Sequence, residues 1–397
     1  MENSGMTPIE RRATIALAGI FSLRMLGLFM ILPVFALYAN HELFGVTPTL
    51  VGVAIGAYGL TQALLQIPFG MLSDRFGRKV IIAIGLVIFA AGSVVAALST
   101  SIWGVIFGRA LQGAGAIAGP VMALAADLTR ETQRTKAMAM IGMSIGLSFM
   151  VAIVVAPTID HWIGVPGIFW LIGGLAVVGI GVLLFIVPTP ACSEPHQEAG
   201  AIPSKLKGVY HNATLRRLDF GILSLHTIIT ANWVVVPLVL SEYLDKQLHW
   251  WVYLPVLLFS VAAMVPFVLI AEKRGLIKQI LLGSVSLLGI AELLFIPAHV
   301  SLWATGFVLF LFFTAFNLLE AILPSLMSKL APPEAKGTAM SIYSTAQFLG
   351  AFIGGSLGGW MHAHFGMQGV FLMGTTFALL WLLATLGLEY RPVKSVS

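Results

Sequence analysis

Six charged residues stand where neither a water-facing surface nor a loop explains them: Asp74, Arg78, Asp127, Arg24, Arg109 and Glu320. Charge is scarce in this chain. Of its 397 residues, only 10% are Asp, Glu, Lys or Arg, whereas 58% are hydrophobic. An ionisable group near a bilayer centre costs ~2.5–3.5 kcal/mol on insertion scales, so each one kept there is a candidate for chemistry. The chemistry open to such groups is narrow. A carboxyl can take up and release a proton, a guanidinium can hold an anion, and ion pairs can tie one helix to another. No phosphate-binding glycine loop, metal cluster or nucleophile–base pair accompanies them, so an ATP-driven pump or a membrane enzyme has nothing to work with. Neither a cofactor nor a metal is expected.

The elements that must position these residues are membrane spans. A soluble domain carries about 25% charged residues, so this composition excludes soluble enzymes, nucleic-acid binders and disordered chains. The 41 glycines suit helices that pack closely in lipid. Runs of the ~20 apolar residues needed to cross a bilayer fall at 14–39, 48–72, 79–98, 102–127, 136–159 and 167–188. A second set falls at 215–241, 249–271, 277–297, 301–328, 336–360 and 367–389. The expected architecture is an all-α membrane protein with twelve transmembrane helices in two six-helix halves. The N-terminal half is 1–187, the cytoplasmic linker 188–214, and the C-terminal half 215–397.

Basic residues support that count. Nineteen of the 22 Lys and Arg fall on the side that holds the N-terminus, Arg24 and Arg109 lie inside spans, and Lys246 alone lies in an opposite loop. By the positive-inside rule both termini are cytoplasmic. The polar start, with Arg11 and Arg12, leads into an apolar run too long for a cleavable signal. The single cysteine, Cys192, falls in the linker and implies no disulfide. The halves also echo each other, with Lys136-Ala-Met-Ala-Met140 opening the fifth span and Lys336-Gly-Thr-Ala-Met340 the eleventh. Two six-helix halves in parallel relation are a transporter plan with the substrate path between them.

The sharpest motif is Gly70-Met-Leu-Ser-Asp-Arg-Phe-Gly-Arg-Lys79, in the turn between spans two and three. Arg75, Arg78 and Lys79 partly fit the positive-inside rule, but Asp74 does not. Gly70 at the helix end is expected to permit close backbone approach. The segment resembles the signature loop of the major facilitator superfamily. Further segments resemble the YajR-type members of its drug:proton antiporter group: Glu10-Arg-Arg-Ala13, Phe21-Ser-Leu-Arg-Met-Leu-Gly27, Gly59-Leu-Thr-Gln62, Gly108-Arg-Ala-Leu-Gln-Gly113 and Phe316-Asn-Leu-Leu-Glu-Ala321. The resemblance implies a cytoplasmic latch of Gly70, Asp74, Arg75, Arg78 and Asp127. In it Asp74 caps the eleventh helix in the outward-facing state, and Arg78 pairs with Asp74 and Asp127. It also associates Arg109 with proton coupling.

Read from the residues alone, the intramembrane charges keep alternatives. On one continuous wheel, Arg109, Gly113, Ala116, Pro120, Ala123 and Asp127 share a face that is small and polar, and should line protein or a cavity. An Arg109 satisfied by carbonyls of a neighbouring helix competes with the coupling reading. Glu320 in span ten is the first choice for a proton site, since a desolvated carboxyl suits reversible protonation. A structural Glu320 paired with Arg24 or Arg109 is the alternative. Arg24 in span one can bind an anionic group or hold Glu320. Glu292, nearer the outer end of span nine, is expected to snorkel to water. Asn317, Gln112, His226, Tyr58 and Phe316 are candidates for lining a substrate cavity.

Two departures from the family pattern are visible. Span five has Ala152-Ile-Val-Val-Ala156-Pro157 where the antiporter signature has glycines. A small soluble domain that YajR-type proteins often carry after span twelve is not expected in a chain ending at Ser397. The expected function is a secondary transporter of the bacterial inner membrane, a multi-pass protein with both termini cytoplasmic, working by alternating access. Its expected action is proton-coupled efflux of small amphipathic molecules. Uptake of a small solute, or a transporter-like sensor without net flux, are the alternatives. The expected partners are a small-molecule substrate, protons and membrane lipid, with no nucleic acid and a monomeric state.

Overall fold

The computed structural model describes residues 5–189, 203–332 and 335–388. Cys192, residues 190–202 of the expected linker and the basic residues Arg391 and Lys394 lie outside the described residues. The described chain is helical apart from one isolated bridge between Phe44 and Ser101. Its first helices are α1 (Pro8–Phe29), α2 (Leu32–Glu42), α3 (Pro48–Phe76), α4 (Arg78–Leu98), α5 (Ile102–Ala114), α6 (Ala118–Asp127) and α7 (Glu131–Phe185). Then follow α8 (Pro203–His211), α9 (Ala213–Ser241), α10 (Trp250–Lys273), α11 (Ile277–Ala298), α12 (Leu302–Leu330) and α13 (Lys336–Leu386). A single 3-10 turn, Lys246–Leu248, precedes α10.

Local sequence sets the helix ends. Thr7 and Glu10 form a reciprocal capping box with Pro8 in the first turn, and the Thr47, Ser101 and Asn212 side chains cap α3, α5 and α9. Lys79, at the start of α4, donates to the Val187 carbonyl at 2.9 Å, just beyond the end of α7. Two hundred residues on the same device recurs: Lys278, at the start of α11, donates to the Leu386 carbonyl at 3.2 Å, at the end of α13. A cation at a helix C-terminus satisfies carbonyls that have no partner within the helix.

Ten stretches among the described residues are long and apolar enough to cross a membrane. Large apolar side chains such as Phe107, Trp162, Phe185 and Trp303 stand exposed on the outside. Surface of that kind belongs in hydrocarbon, and the chain is an all-helical, multi-pass membrane protein. Two of the ten stretches, α7 at 55 residues and α13 at 51, far exceed one crossing. Each is two helices meeting at one glycine. Gly164 has φ 67° and ψ 171°, and Gly366 has φ 67° and ψ −167°. That backbone region is open essentially to glycine alone. The first apolar stretch also breaks, between α1 and α2 beside Pro33.

The fourth expected span breaks as well, between Ala114 and Ala118, so the continuous wheel drawn through Arg109 and Asp127 does not exist as one face. Its residues are nevertheless turned inward, with Arg109, Ala116 and Ala123 all buried. The break coincides with close approach. A Cβ on Gly115 would run into the Gly85 backbone, and one on Gly113 into the Tyr58 backbone.

Helices before residue 189 pack largely on one another, and those after 203 likewise. The main join between the groups is α3 against α13. Two rows of small residues on α13 face different neighbours. A methyl on Gly358 would come within 2.8 Å of Ala231, and Gly350 and Gly354 abut the backbone of Leu223 and Thr227, all on α9. Gly355 and Gly359 instead face Gly52, Pro48 and Thr49 of α3 or its first turn, and a methyl on Gly56 would meet the Phe352 backbone at 2.9 Å. Small residues four apart let helix backbones touch in lipid.

Candidate functional site

On the face that carries the N-terminus, Arg78 ties three elements together. Gly77, at φ 94°, ends α3 and lets α4 begin immediately, which swings Arg78 back beneath α3. Its Nη1 donates to Asp74 and, at 3.0 Å, to Ser73 Oγ, and its Nε donates to Asp127 Oδ2 at 3.2 Å. Arg78 is buried, whereas the Asp74 side chain is 41% exposed. Arg75 does not join them; its guanidinium lies 5.3 Å from the ring of its neighbour Phe76. Gly70 departs from expectation. A Cβ there would meet nothing within 4 Å, so close approach does not explain it. Its carbonyl accepts from Ser73 Oγ at 2.7 Å. The tie from this end of α3 to α13 is Gln66, whose amide donates to the Ser341 carbonyl at 3.2 Å and to Thr345 Oγ1 at 2.6 Å.

Deeper in the first group of helices lie Arg24 and Arg109, both essentially without exposure. Arg24 donates to Gln62 Oε1, and its guanidinium lies 5.5 Å from the ring of Tyr58. Arg109 donates to Gln112 Oε1 at 2.9 Å and to the Ile55 carbonyl at 3.4 Å, and lies 5.3 Å from the same ring. Gln112 in turn donates to Ser93 Oγ at 2.8 Å. The ring of Tyr58 lies 6.3 Å from that of Phe348 on α13. Tyr58 and Gln112 therefore belong with the arginines.

The second group of helices gathers the acids. Glu320 Oε1 of α12 lies 3.5 Å from His226 Nε2 of α9, so its titratable neighbour is a histidine and not either arginine. The Gln347 amide of α13 lies 2.9 Å from the same nitrogen, and His226 Nδ1 faces the Ile222 carbonyl at 3.3 Å. A carbonyl can only accept, so Nδ1 carries a hydrogen. With Nδ1 so engaged, Nε2 can accept from the Gln347 amide, and Glu320 Oε1 beside it is buried without a hydrogen-bond partner.

The Phe316 ring is 6.3 Å from His226 and 6.0 Å from Phe149 of α7, which in turn lies 5.0 Å from Phe29 of α1. This aromatic run joins the two groups of helices beside Glu320. Asn317 is directed elsewhere, donating to Ser260 Oγ of α10 at 3.0 Å.

Toward the opposite face, Glu292 does not snorkel. It is fully buried and accepts from the Asn232 amide at 2.6 Å, in space left by Gly374. Near the turn at Gly164, Asp160 pairs with Lys246 at 3.0 Å, linking α7 to the segment before α10. Phe149, Gln62 and this last pair are contributions that sequence reasoning missed. Phe149 is one of 25 phenylalanines and carried no signal. Lys246, the one basic residue in an opposite loop, did carry one.

Packed apolar helices that bury opposed charges, with an aromatic path between two groups of spans, define a membrane transporter rather than an enzyme. Comparison gives the family. Residues 17–225 and 218–397 both match the Major Facilitator Superfamily, and the chain belongs to it. It is 48% identical over 396 residues to the inner membrane transport protein YajR of Escherichia coli K12, covering 100% of this chain and 87% of that one. The multidrug resistance protein MdtH of Proteus mirabilis is 25% identical over 344 residues, 85% of this chain and 84% of that one. Among solved structures, a bacterial homolog of the human lysosomal transporter Spinster, inward-facing and occupied, superposes with a TM-score of 0.77. It is 14% identical, over 98% of this chain and 100% of that one, and so speaks to fold alone.

Proposed function

We propose that the protein is a monomeric secondary transporter of the bacterial inner membrane that expels small amphipathic molecules in exchange for protons by alternating access. Divided at Gly164 and Gly366, its ten apolar stretches become twelve crossings, six on each side of the linker at 188–214. The face holding the N-terminus is then cytoplasmic, because the basic residues collect there. Outward movement accords with the drug-resistance name of one relative.

The observation that carries the reading is the Glu320–His226 pair beside the Phe316–Phe149–Phe29 run. It sets a group able to hold a proton against an apolar surface shared by both halves. A proton held between Glu320 and His226 changes the charge the halves present to each other, and with it the balance of inward and outward states. Arg78, Asp74 and Asp127 form the cytoplasmic latch, and Asp160 with Lys246 closes the outer end.

The test is proton movement in proteoliposomes loaded with a pH-sensitive dye. Glu320→Gln should insert normally and abolish substrate-driven proton flux. Undiminished flux in this variant removes Glu320 from the coupling role, and binding without flux in the parent protein favours a sensor.

A further inference from the structure

The unsatisfied polar atoms around Tyr58 share one property: every one can donate a hydrogen. Arg24 Nε and Nη1, Arg109 Nε, Gln62 Nε2 and Tyr58 Oη are all buried without a hydrogen-bond partner. Among the described residues, the acceptors the two arginines use are two glutamine oxygens and one backbone carbonyl, and no carboxylate answers them. Among the described residues before 189, the acids are Glu10, Glu42, Asp74, Asp127, Glu131 and Asp160, and all sit at helix ends. Glu10 is held by Arg130, Asp74 and Asp127 by Arg78, and Asp160 by Lys246, while Glu42 and Glu131 are exposed.

Two guanidinium groups are thus buried with no anion. Leaving a buried donor unmade costs ~1–3 kcal/mol, and more when the group is charged. Such an excess is tolerable where a ligand completes it. The second group of helices is mixed by contrast: its buried unpartnered atoms include the acceptors Asp219 Oδ1, Asn232 Oδ1, Glu292 Oε2 and Glu320 Oε1 as well as donors such as Trp233 Nε1 and Tyr253 Oη. The donor cluster also has a route out. Tyr58 and Gln62 lie on α3, the helix whose packing against α13 joins the two groups, and the Tyr58 ring faces Phe348 across that join.

We propose that the cluster of Arg24, Gln62, Tyr58 and Arg109 binds the anionic group of the transported molecule, an amphipathic carboxylate whose apolar body lies along the aromatic run. This rests on the transporter reading above and narrows its substrate class. The forked donors of arginine match the two oxygens of a carboxylate. Parting of α3 from α13 admits the group, and Tyr58 and Phe348 flank it.

The experiment measures thermal stabilisation of the purified full chain by three probes of one shape: 2-naphthoate, neutral 2-naphthamide and cationic 2-naphthylmethylammonium. Sodium chloride serves as the inorganic anion. The carboxylate should stabilise the protein more than the amide or the cation. Arg24→Gln should weaken that effect roughly ten- to hundredfold, the loss of one or two charge-assisted hydrogen bonds. Gln62→Glu places a permanent carboxylate against Arg24. It should stabilise the empty protein and abolish the response to naphthoate, which serves if Arg24→Gln fails to fold.

Equal stabilisation by amide or cation, or an unchanged naphthoate response in Gln62→Glu, overturns the proposal. So does an absent naphthoate response, or chloride reproducing the full effect. Flux of the probes under a pH gradient is read separately. Flux of the cation alone overturns the anion site and leaves the transporter reading standing. Specific naphthoate binding without flux of any probe does the reverse.

Discussion

Glu292 shows what a single side chain in this setting can be. It has no cation beside it among the described residues, and its oxygen Oε1 accepts from Asn232 at 2.6 Å. Glutamine keeps an oxygen that can accept from Asn232 and nearly the same volume. Glu292→Gln is therefore expected to change thermal stability in detergent by less than ~1 kcal/mol, the scale of one exchanged hydrogen bond. Glu292→Leu leaves the Asn232 amide unanswered and should cost ~1–3 kcal/mol. Unfolding curves for the two variants, measured in one detergent, check this. The residue's position was legible in the sequence, but its orientation was not. Distance along a span places a side chain by depth, whereas the choice between snorkelling and burial depends on what the next helix offers, here Asn232 and the gap at Gly374.

At the scale of elements, the spans were legible because a run of apolar residues must be helical in hydrocarbon, whatever its tertiary neighbours. The helices observed at Pro48–Phe76, Arg78–Leu98 and Leu302–Leu330 start and stop close to the expected spans at 48–72, 79–98 and 301–328. Pairings between elements were less legible. Arg24 was weighed as a partner for Glu320 and instead meets Gln62, because contact depends on the rotation of each helix about its axis. The α5–α6 break shifted that rotation for the whole fourth stretch, and nothing local to 115–117 but a run of small residues announces it. The small-residue rows of α13 were visible, but the assignment of one to α9 and the other to α3 was not. That assignment is testable. Gly354→Val places bulk against the Thr227 backbone and should lower thermal stability by several kcal/mol through overpacking. Gly56→Val, on the α3 side, should instead favour states in which α3 and α13 separate. Cross-linking between cysteines placed on α3 and α13 should fall in Gly56→Val and persist in any Gly354→Val protein that remains folded.

For the whole molecule, Asp160–Lys246 is an ion pair that bridges the two groups of helices, with the Asp160 side chain 3% exposed and that of Lys246 47% exposed. At the opposite face Arg78 holds Asp74 and Asp127. On the orientation and alternating access proposed above, loss of the Asp160–Lys246 bridge tilts the population outward. A half-exposed pair is worth up to ~1 kcal/mol, so Asp160→Asn should raise outside access to a central site roughly two- to fivefold. Labelling of Phe316→Cys by an impermeant maleimide, with Cys192 replaced by serine, reads this. The charge-exchanged pair Asp160→Lys with Lys246→Asp should return labelling toward the parent level, and an unchanged rate in Asp160→Asn argues that the bridge carries no gating role.

The single-glycine turns at Gly164 and Gly366 bear on how the chain is built into its membrane. With one residue between them, the two arms of α7 are expected to enter as a hairpin, with Gly164 leading, and the arms of α13 likewise with Gly366. Biogenesis of this protein then proceeds in part by pairs of helices, and a substitution that stiffens either glycine should be felt in the yield of inserted protein before it is felt in transport.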